Sequence, residues 1–289
     1  ISGGYYGLTL YSYTTIPNYN NYNQIIGNIF TGQYYVGIYK FYSSYGTVIK
    51  NNTFWNAFNG TTGYAIYSYY GNNTTIDGNI IQWSYMGIQM YYENYYITGT
   101  TTITNNMISN MNYTGGYHYG MYLYYSNNLS IYHNSVRINP TSASTSYSCI
   151  YMYYINYTTS SGTMIASFCK NNIFENDGVG GAGTCMNATY ANFTELNYND
   201  YYYPSATYIA YYVNGSGQGT THLNLAVWQA YAGSRTLNTN SMSANPNFSS
   251  MTDLHRIASS TTLYNAPNCG ISVDIDGDTR GNPTMIGAD

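Results

Sequence analysis

The sequence predicts an all-β fold in which short parallel strands wind into about seven stacked coils, a β-solenoid closed by an irregular C-terminal capping segment. Three observations predict it. A strand-like phrase opening on a small residue recurs as "GLTLY" from Gly7, "GIYKF" from Gly37, "AIYSY" from Ala65, "GIQMY" from Gly87, "GMYLY" from Gly120, "CIYMY" from Cys149 and "CMNAT" from Cys185. A second phrase built round asparagine follows the first: "IIGNIF", "IKNNTF", "IDGNII", "ITNNMI", "IYHNSV" and "CKNNIF". Repetition at roughly 20 to 50 residues marks stacked architectures, whose units bury a continuous core only by covering one another. The composition agrees: 44% of the residues are hydrophobic, 42 of 289 are tyrosine and only 6% are charged, so the chain can bury a core and lacks the charge of disordered sequences.

Each column of the repeat has a physical reading. The second position of the strand phrase is Leu8, Ile38, Ile66, Ile88, Met121, Ile150 and Met186, aliphatic throughout, and alternation along a strand turns that face to the core. The fourth position, Leu10, Lys40, Ser68, Met90, Leu123, Met152 and Ala188, is expected inward as well, with Lys40 and Ser68 as exceptions. The asparagines of the second phrase are Asn28, Asn52, Asn79, Asn106, Asn134 and Asn172, mostly about one coil apart. Apolar residues stand three positions before and two after each. An amide held between two buried positions is expected to bond the equivalent amides above and below it, because buried polar groups are hydrogen-bonded.

The Gly-Ile-x-Leu-like strand with Ile-x-x-Asn-x-Ile/Phe, repeated over residues 5–200, resembles the right-handed parallel β-helix repeat family. The resemblance implies a right-handed parallel β-helix over 1–200; a β-sandwich would need hairpin turns at shorter spacing. From about Tyr201 the character changes, and "ANPNF", "TDLHRIASSTTLYNA", "DIDGDTRGNP" and "IGAD" resemble the closing segment of secreted bacterial β-helix proteins. In those proteins a cell-surface sorting domain, removed on export, commonly follows. Residues 201–289 are therefore expected to close and pack on the solenoid. The resemblance implies an exported, extracellular or cell-surface product without its signal and sorting segments, and the start at Ile1 suits a processed chain or a fragment.

Seven Lys and Arg without a cluster, in a chain of net charge −4, offer no footprint for nucleic acid or an anionic bilayer, and no apolar run is long enough for membrane insertion as a helix. Eleven Asn-x-Ser/Thr sequons are weak evidence for glycans in so Asn-, Ser- and Thr-rich a chain.

Two aromatic ladders stand out. The fifth position reads Tyr11, Phe41, Tyr69, Tyr91, Tyr124 and Tyr153; the sixth reads Tyr42, Tyr70, Tyr92, Tyr125, Tyr154 and Tyr190. The fifth is expected outward, with rings stacked along the axis. Where the strand bends, the direction of the sixth is open. Both serve either to stiffen the coil, to pack against neighbouring chains or to stack on sugar rings.

Among the remaining candidates, Cys149 and Cys185 share a column on neighbouring coils and are expected to form a disulfide, leaving Cys169 and Cys269 as a second pair if both bond. Asp274, Asp276 and Asp278 in "DIDGDT" have the oxygen-rich alternation of a calcium loop without the EF-hand glutamate; the alternative is a solvent-facing turn paired with Arg280. No other cofactor is implied. The first 174 residues hold two carboxylates, Asp77 and Glu93, half a coil out of step, which does not supply the carboxylate pair of glycoside hydrolysis. Lys40 reads as isolated, and His118 as a partly exposed structural histidine.

These readings point to an extracellular structural protein, a tyrosine-rich subunit of a filament or surface layer. Its expected partner is itself, head to tail, the first coil with Leu8 and Leu10 meeting a neighbour's terminal segment. The alternatives are a polysaccharide lyase or hydrolase on the same scaffold, or a monomeric carbohydrate-binding adhesin.

Overall fold

In the computed structural model the described residues are 1–12, 21–42, 45–55, 63–82, 84–95, 99–111, 117–140, 147–156, 166–178, 183–205, 208–222, 224–231, 237–257 and 263–289. Each coil contributes three strands to three parallel sheets. The first sheet stacks Tyr6–Tyr11, Val36–Phe41, Tyr64–Tyr69, Met86–Tyr91, His118–Tyr124, Tyr147–Tyr153, Thr184–Thr189 and Ala210–Val213, then ends in the antiparallel strand Gly219–His222. The second sheet begins at Gln24–Ile26 and ends at Glu195–Asn197. The third runs from Ile29–Thr31 to Asp200–Tyr202. Register is kept from coil to coil, so Ile38 pairs with Ile66, Ile66 with Ile88, and Ile88 with Met121.

Register turns the sequence columns into rails of the core. Ile49, Ile76, Ile103 and Ile131 line the inside of the second sheet, Phe54, Ile81, Ile108 and Val136 the third, and Ile38, Ile66, Ile88 and Met121 the first, all without solvent exposure. The small residue opening each strand phrase faces the third sheet at close range. A Cβ on Gly37 would lie 2.8 Å from the Phe54 ring and 2.7 Å from the Ala65 carbonyl oxygen.

The asparagines form a hydrogen-bonded rail at the corner between the second and third sheets. The Oδ1 of Asn106 accepts from the backbone N–H of Asn79 at 3.0 Å and from its Nδ2 at 2.9 Å, and the same two bonds link Asn28 to Asn52, Asn52 to Asn79, Asn106 to Asn134 and Asn134 to Asn172. The rail continues one step beyond the six asparagines, to Asn199, whose N–H donates to Ser241 Oγ. Nδ2 also reaches back across the bend, as from Asn106 to the carbonyl of Ile76 at 3.0 Å. Each residue before the rail, including Gly27, Asn51, Gly78 and Asn105, is left-handed, and the amide ties off the backbone groups that such a bend leaves over.

The inward end of the coil is closed by residues within 219–231. Helix Leu225–Ala230, N-capped by the Asn224 side chain, lays buried Trp228 against Tyr201, with ring centroids 5.1 Å apart, and against His222. The segment after 237 lies along the flank. Its Thr252 carbonyl accepts from Gln82 and Ser109, Arg280 Nη2 donates to Asn105 Oδ1 at 3.1 Å, and Phe248, Leu254, Leu263 and Ile286 pack with Met107 and Ile173.

Several expectations are corrected by this packing. Lys40 and Ser68 are not outward exceptions: both are fully buried, because Glu93 enters the interior from a coil further on. Lys40 Nζ lies 3.4 Å from Glu93 Oε1 and 2.5 Å from Thr74 Oγ1, while Ser68, Thr74 and Thr101 hydroxyls donate to the Glu93 carboxylate. Lys40 is therefore paired; burial still lowers its pKa, against the attraction of Glu93. His118 is buried, not partly exposed, with its ring 4.8 Å from Tyr85 and 5.0 Å from Tyr147.

The expected disulfides are absent: Cys149, Cys185, Cys169 and Cys269 are free thiols. Cys149 and Cys185 do stand side by side on neighbouring strands. In-register parallel strands, however, hold equivalent side chains parallel at about 4.8 Å, beyond the usual Cβ separation of a disulfide. The Cys149 thiol instead donates to the Glu175 carbonyl at 3.2 Å and that of Cys185 to the Tyr202 carbonyl at 3.5 Å. Cys269 lies at the corner by Asn171, whose Nδ2 reaches its sulfur at 3.4 Å, while Cys169 faces the core.

Candidate interaction surface

Alternation that buries Ile38 and Lys40 turns Tyr39 and Phe41 out, so the first sheet presents columns of aromatic side chains on its exterior. The fifth-position column stacks Tyr11 on Phe41 at 5.2 Å, Phe41 on Tyr69 at 5.0 Å and Tyr124 on Tyr153 at 5.3 Å, with Tyr91 tilted between Tyr69 and Tyr124. A further column, not singled out in the sequence, lies beside it at the third position. Tyr39, Tyr67, Tyr122 and Tyr151 occupy it, with Gln89 in the gap that the Tyr91 ring bridges. Strict alternation was signal enough to find it.

The sixth-position column turns the corner. All six of its tyrosines are left-handed, with φ from 48° at Tyr42 and Tyr125 to 58° at Tyr92, and their rings form one stack: 4.8 Å from Tyr42 to Tyr70, 4.7 Å to Tyr92, 5.5 Å to Tyr125, 4.5 Å to Tyr154 and 4.9 Å to Tyr190. A left-handed residue with a Cβ costs about 1–2 kcal/mol. A stacked aromatic pair returns about 0.5–1.5 kcal/mol. Five shared pairs for six bends supply a little under one pair per residue, so the stack offsets part of the strain that each bend imposes. Ring faces are spent on one another, so the surface offers ring edges and phenol groups in rows one coil apart.

This exterior is uncharged. The third, fifth and sixth positions hold tyrosine, phenylalanine, serine, threonine, glutamine and asparagine. Burial, followed by neighbouring phenols, pushes Tyr39 up to about 12 and raises Tyr67 and Tyr122 further, so these phenols stay neutral into alkaline solution. Among the described residues the Lys and Arg ion pairs outside the core lie on the other two sheets, Lys50 with Asp77 at 2.7 Å and Lys170 with Glu195 at 2.8 Å on the second and Arg137 with Asp177 and, at 3.5 Å, buried Glu175 on the third, and the terminal segment pairs His255 with Asp253 and Asp276.

A family model of the right-handed β-helix region matches residues 45–226. The chain belongs to the right-handed β-helix family. No curated protein and no solved structure matches it. The core rails and corner amides serve the coil itself, which leaves the aromatic exterior as the candidate for a role beyond it.

The remaining candidates are dispersed. Leu8 and Leu10 are partly buried against the core in the first coil. Asp274, Asp276 and Asp278 close a tight loop in which Asp274 Oδ1 accepts from the backbone N–H of Asp276 at 3.0 Å and of Asp278 at 2.8 Å. Asp276 reaches His255 Nε2 at 3.1 Å. Arg280 is buried, with its Nη2 donating to the carbonyls of Gly287 and Ala288. Among the described residues no group of three or more His, Cys, Asp or Glu side chains is placed to hold a metal ion.

One acidic cluster was missed because its members lie past residue 174 and meet Arg137 only through the coil register. Burial, then Asp177, pushes Glu175 up to about 8 against the pull of Arg137. Arg137 also donates to the Ser250 carbonyl, so the cluster fastens the terminal segment to the third sheet.

Proposed function

We propose that the chain is an extracellular structural protein, a β-helix whose tyrosine-clad first sheet packs against copies of itself in a filament or surface layer. The observation that carries this reading is the separation of surface types: the aromatic exterior is periodic and uncharged, while among the described residues the exposed ion pairs lie on the other sheets and the terminal segment. Rows of edges and phenols spaced by one coil are matched in period by the same rows on a second copy. Sugar stacking is disfavoured, because the ring faces it would use already lie on one another. The Trp228 helix over the coil end and the terminal segment along the flank favour lateral packing over the head-to-tail junction through Leu8 and Leu10.

Sedimentation of the wild type and of Tyr39→Lys/Tyr67→Lys/Tyr151→Lys tests the reading. The wild type is expected to form large species that survive high salt, which screens charge and leaves apolar contact intact. The triple variant is expected to stay monomeric with unchanged circular dichroism. A wild type that is monomeric at high concentration, or a folded variant that assembles equally well, refutes it.

A second reading, polysaccharide hydrolysis on the third sheet, draws on the raised Glu175 carboxyl beside Asp177 and Arg137. Reducing ends released from an acidic polysaccharide and lost in Glu175→Gln would establish it.

A further inference from the structure

We propose that the sixth-position column, Tyr42, Tyr70, Tyr92, Tyr125, Tyr154 and Tyr190, is a site of oxidative cross-linking, where neighbouring phenols of one chain couple into dityrosine. The inference stands apart from the assembly reading, since every link it requires lies within a single chain.

The backbone makes the first argument. Elsewhere this coil fills left-handed corners mostly with residues that tolerate them, Asn73, Asn94, Asn128 and Asn156 at one and Gly27, Asn51, Gly78, Asn105 and Asn171 at another, with Tyr22, His133 and Tyr198 as single exceptions. At the first corner alone it places tyrosine six times. Repeated strain at one column points to a demand on the side chain. Stacking by itself does not require a phenol, and the neighbouring fifth column shows as much, holding Phe41 and, at Thr189, no ring at all. The sixth column keeps the hydroxyl in every coil from Tyr42 to Tyr190.

Geometry makes the second. Five successive ring pairs have centroids 4.5–5.5 Å apart with planes within 28° of parallel, so each phenol is stacked on that of the next coil. All six side chains are half-buried and so partly open to a small oxidant, and the four inner ones are held on both sides by column neighbours. Such contact favours a phenoxyl radical meeting its own neighbour over one on another molecule.

The chemistry balances with hydrogen peroxide as oxidant and a haem peroxidase as one-electron relay. Two phenols each give up one electron and one proton. The two radicals join ortho carbon to ortho carbon, and the two ortho hydrogens move to the oxygens, restoring both phenols. Peroxide accepts the two electrons and two protons and leaves as two waters. Each link removes two hydrogens and ties one coil to the next along a corner where the free thiols provide no such tie.

The test treats the folded chain with dilute peroxide and horseradish-type peroxidase and reads dityrosine fluorescence, intact monomer mass and cross-linked peptides. The expected result is a monomer lighter by two hydrogens per link, links mapping to Tyr42–Tyr70, Tyr70–Tyr92, Tyr92–Tyr125, Tyr125–Tyr154 or Tyr154–Tyr190, and a higher unfolding midpoint. Tyr70→Phe/Tyr125→Phe/Tyr190→Phe keeps the stack and leaves no two phenols adjacent in the column; it is expected to fold as the wild type and to lose these links. No dityrosine, links confined to the exposed Tyr5, Tyr22, Tyr34 and Tyr117, links only between chains, or an unchanged yield of column links in the triple variant would each overturn the proposal.

Discussion

Replacing Asn106 by alanine isolates what the asparagine rail contributes. The side chain makes five hydrogen bonds: it accepts two from Asn79 and donates to Asn134 Oδ1 and to the carbonyls of Ile76 and Thr104. Some partners keep a second bond, since Asn79 Nδ2 still reaches the Ile49 carbonyl and the Thr104 carbonyl still accepts from Gly78 N–H. The Asn79 backbone N–H loses the partner that the rail supplies, away from water, whereas the Ile76 carbonyl stays in the parallel ladder with Thr101–Thr104. At about 1–3 kcal/mol for a stranded buried group the loss is about 1–3 kcal/mol. With an unfolding entropy of about 2.1 cal/mol/K per residue, 289 residues convert a central 2 kcal/mol into a fall of about 3 °C in Tm. Asn28→Ala is the internal comparison: its side chain sits at the end of the rail, is half-exposed and donates only to the Ile26 carbonyl and Asn52 Oδ1, so the expected loss is about 1 kcal/mol or less. Thermal and urea melts followed by circular dichroism measure both. Equal losses at the two positions would refute the claim that the rail acts by satisfying buried backbone groups.

Lys40→Met is expected to cost about 3–5 kcal/mol by leaving the Glu93 carboxylate unpaired inside the coil, and Lys40→Met/Glu93→Leu to recover much of that loss in urea melts. Thiol counting in denaturant without reductant should find four free cysteines, with Cys149, Cys169 and Cys185 unreactive in the folded chain; a mass showing a bridge would overturn the thiol assignment. For Glu175, raised to about 8 chiefly by burial, the folded state holds a proton that the unfolded state releases above its ordinary carboxylate range. The stabilisation is complete below about 4.5, declines as pH rises and is gone above about 8, so Glu175→Gln should gain on the wild type between these values. A constant difference across that window would contradict the assignment.

What the sequence made legible follows from which interactions repeat. Ile38, Ile66 and Ile88, or Asn52, Asn79 and Asn106, recur because each coil meets the same neighbours above and below, and a column read vertically is already a contact list. Single events were not legible. Glu93 stands at a turn with no counterpart in other coils, so its entry beside Lys40, Ser68 and Thr74 leaves no periodic trace and Lys40 looked unpaired. Arg137 and Glu175 are register partners, yet the long insertion between their coils hid them from a reading that counted carboxylates along the chain. Cysteine spacing misled for the opposite reason: the column was right, but stacking distance in a parallel sheet is not disulfide geometry.

The two corners show how far composition can be read as conformation. A left-handed bend with glycine or asparagine requires no argument beyond backbone tolerance, and the corner before the amide rail is filled mostly in that way. Tyrosine at the same φ runs against local preference, so its column can persist only if something beyond the bend compensates every coil. Ring stacking is cooperative along the axis: removing one inner ring exposes faces on both neighbours and leaves two strained residues with half their contacts. The strain at Tyr92 is thus held by Tyr70 and Tyr125, not by Tyr92 alone. A smaller residue at Tyr92 would relax its own bend and weaken the two beside it, whereas asparagine at an isolated corner relaxes a bend without such a consequence. The aromatic column is therefore a property of the stack of coils, legible as a pattern in the sequence and as a direction only once the backbone is known.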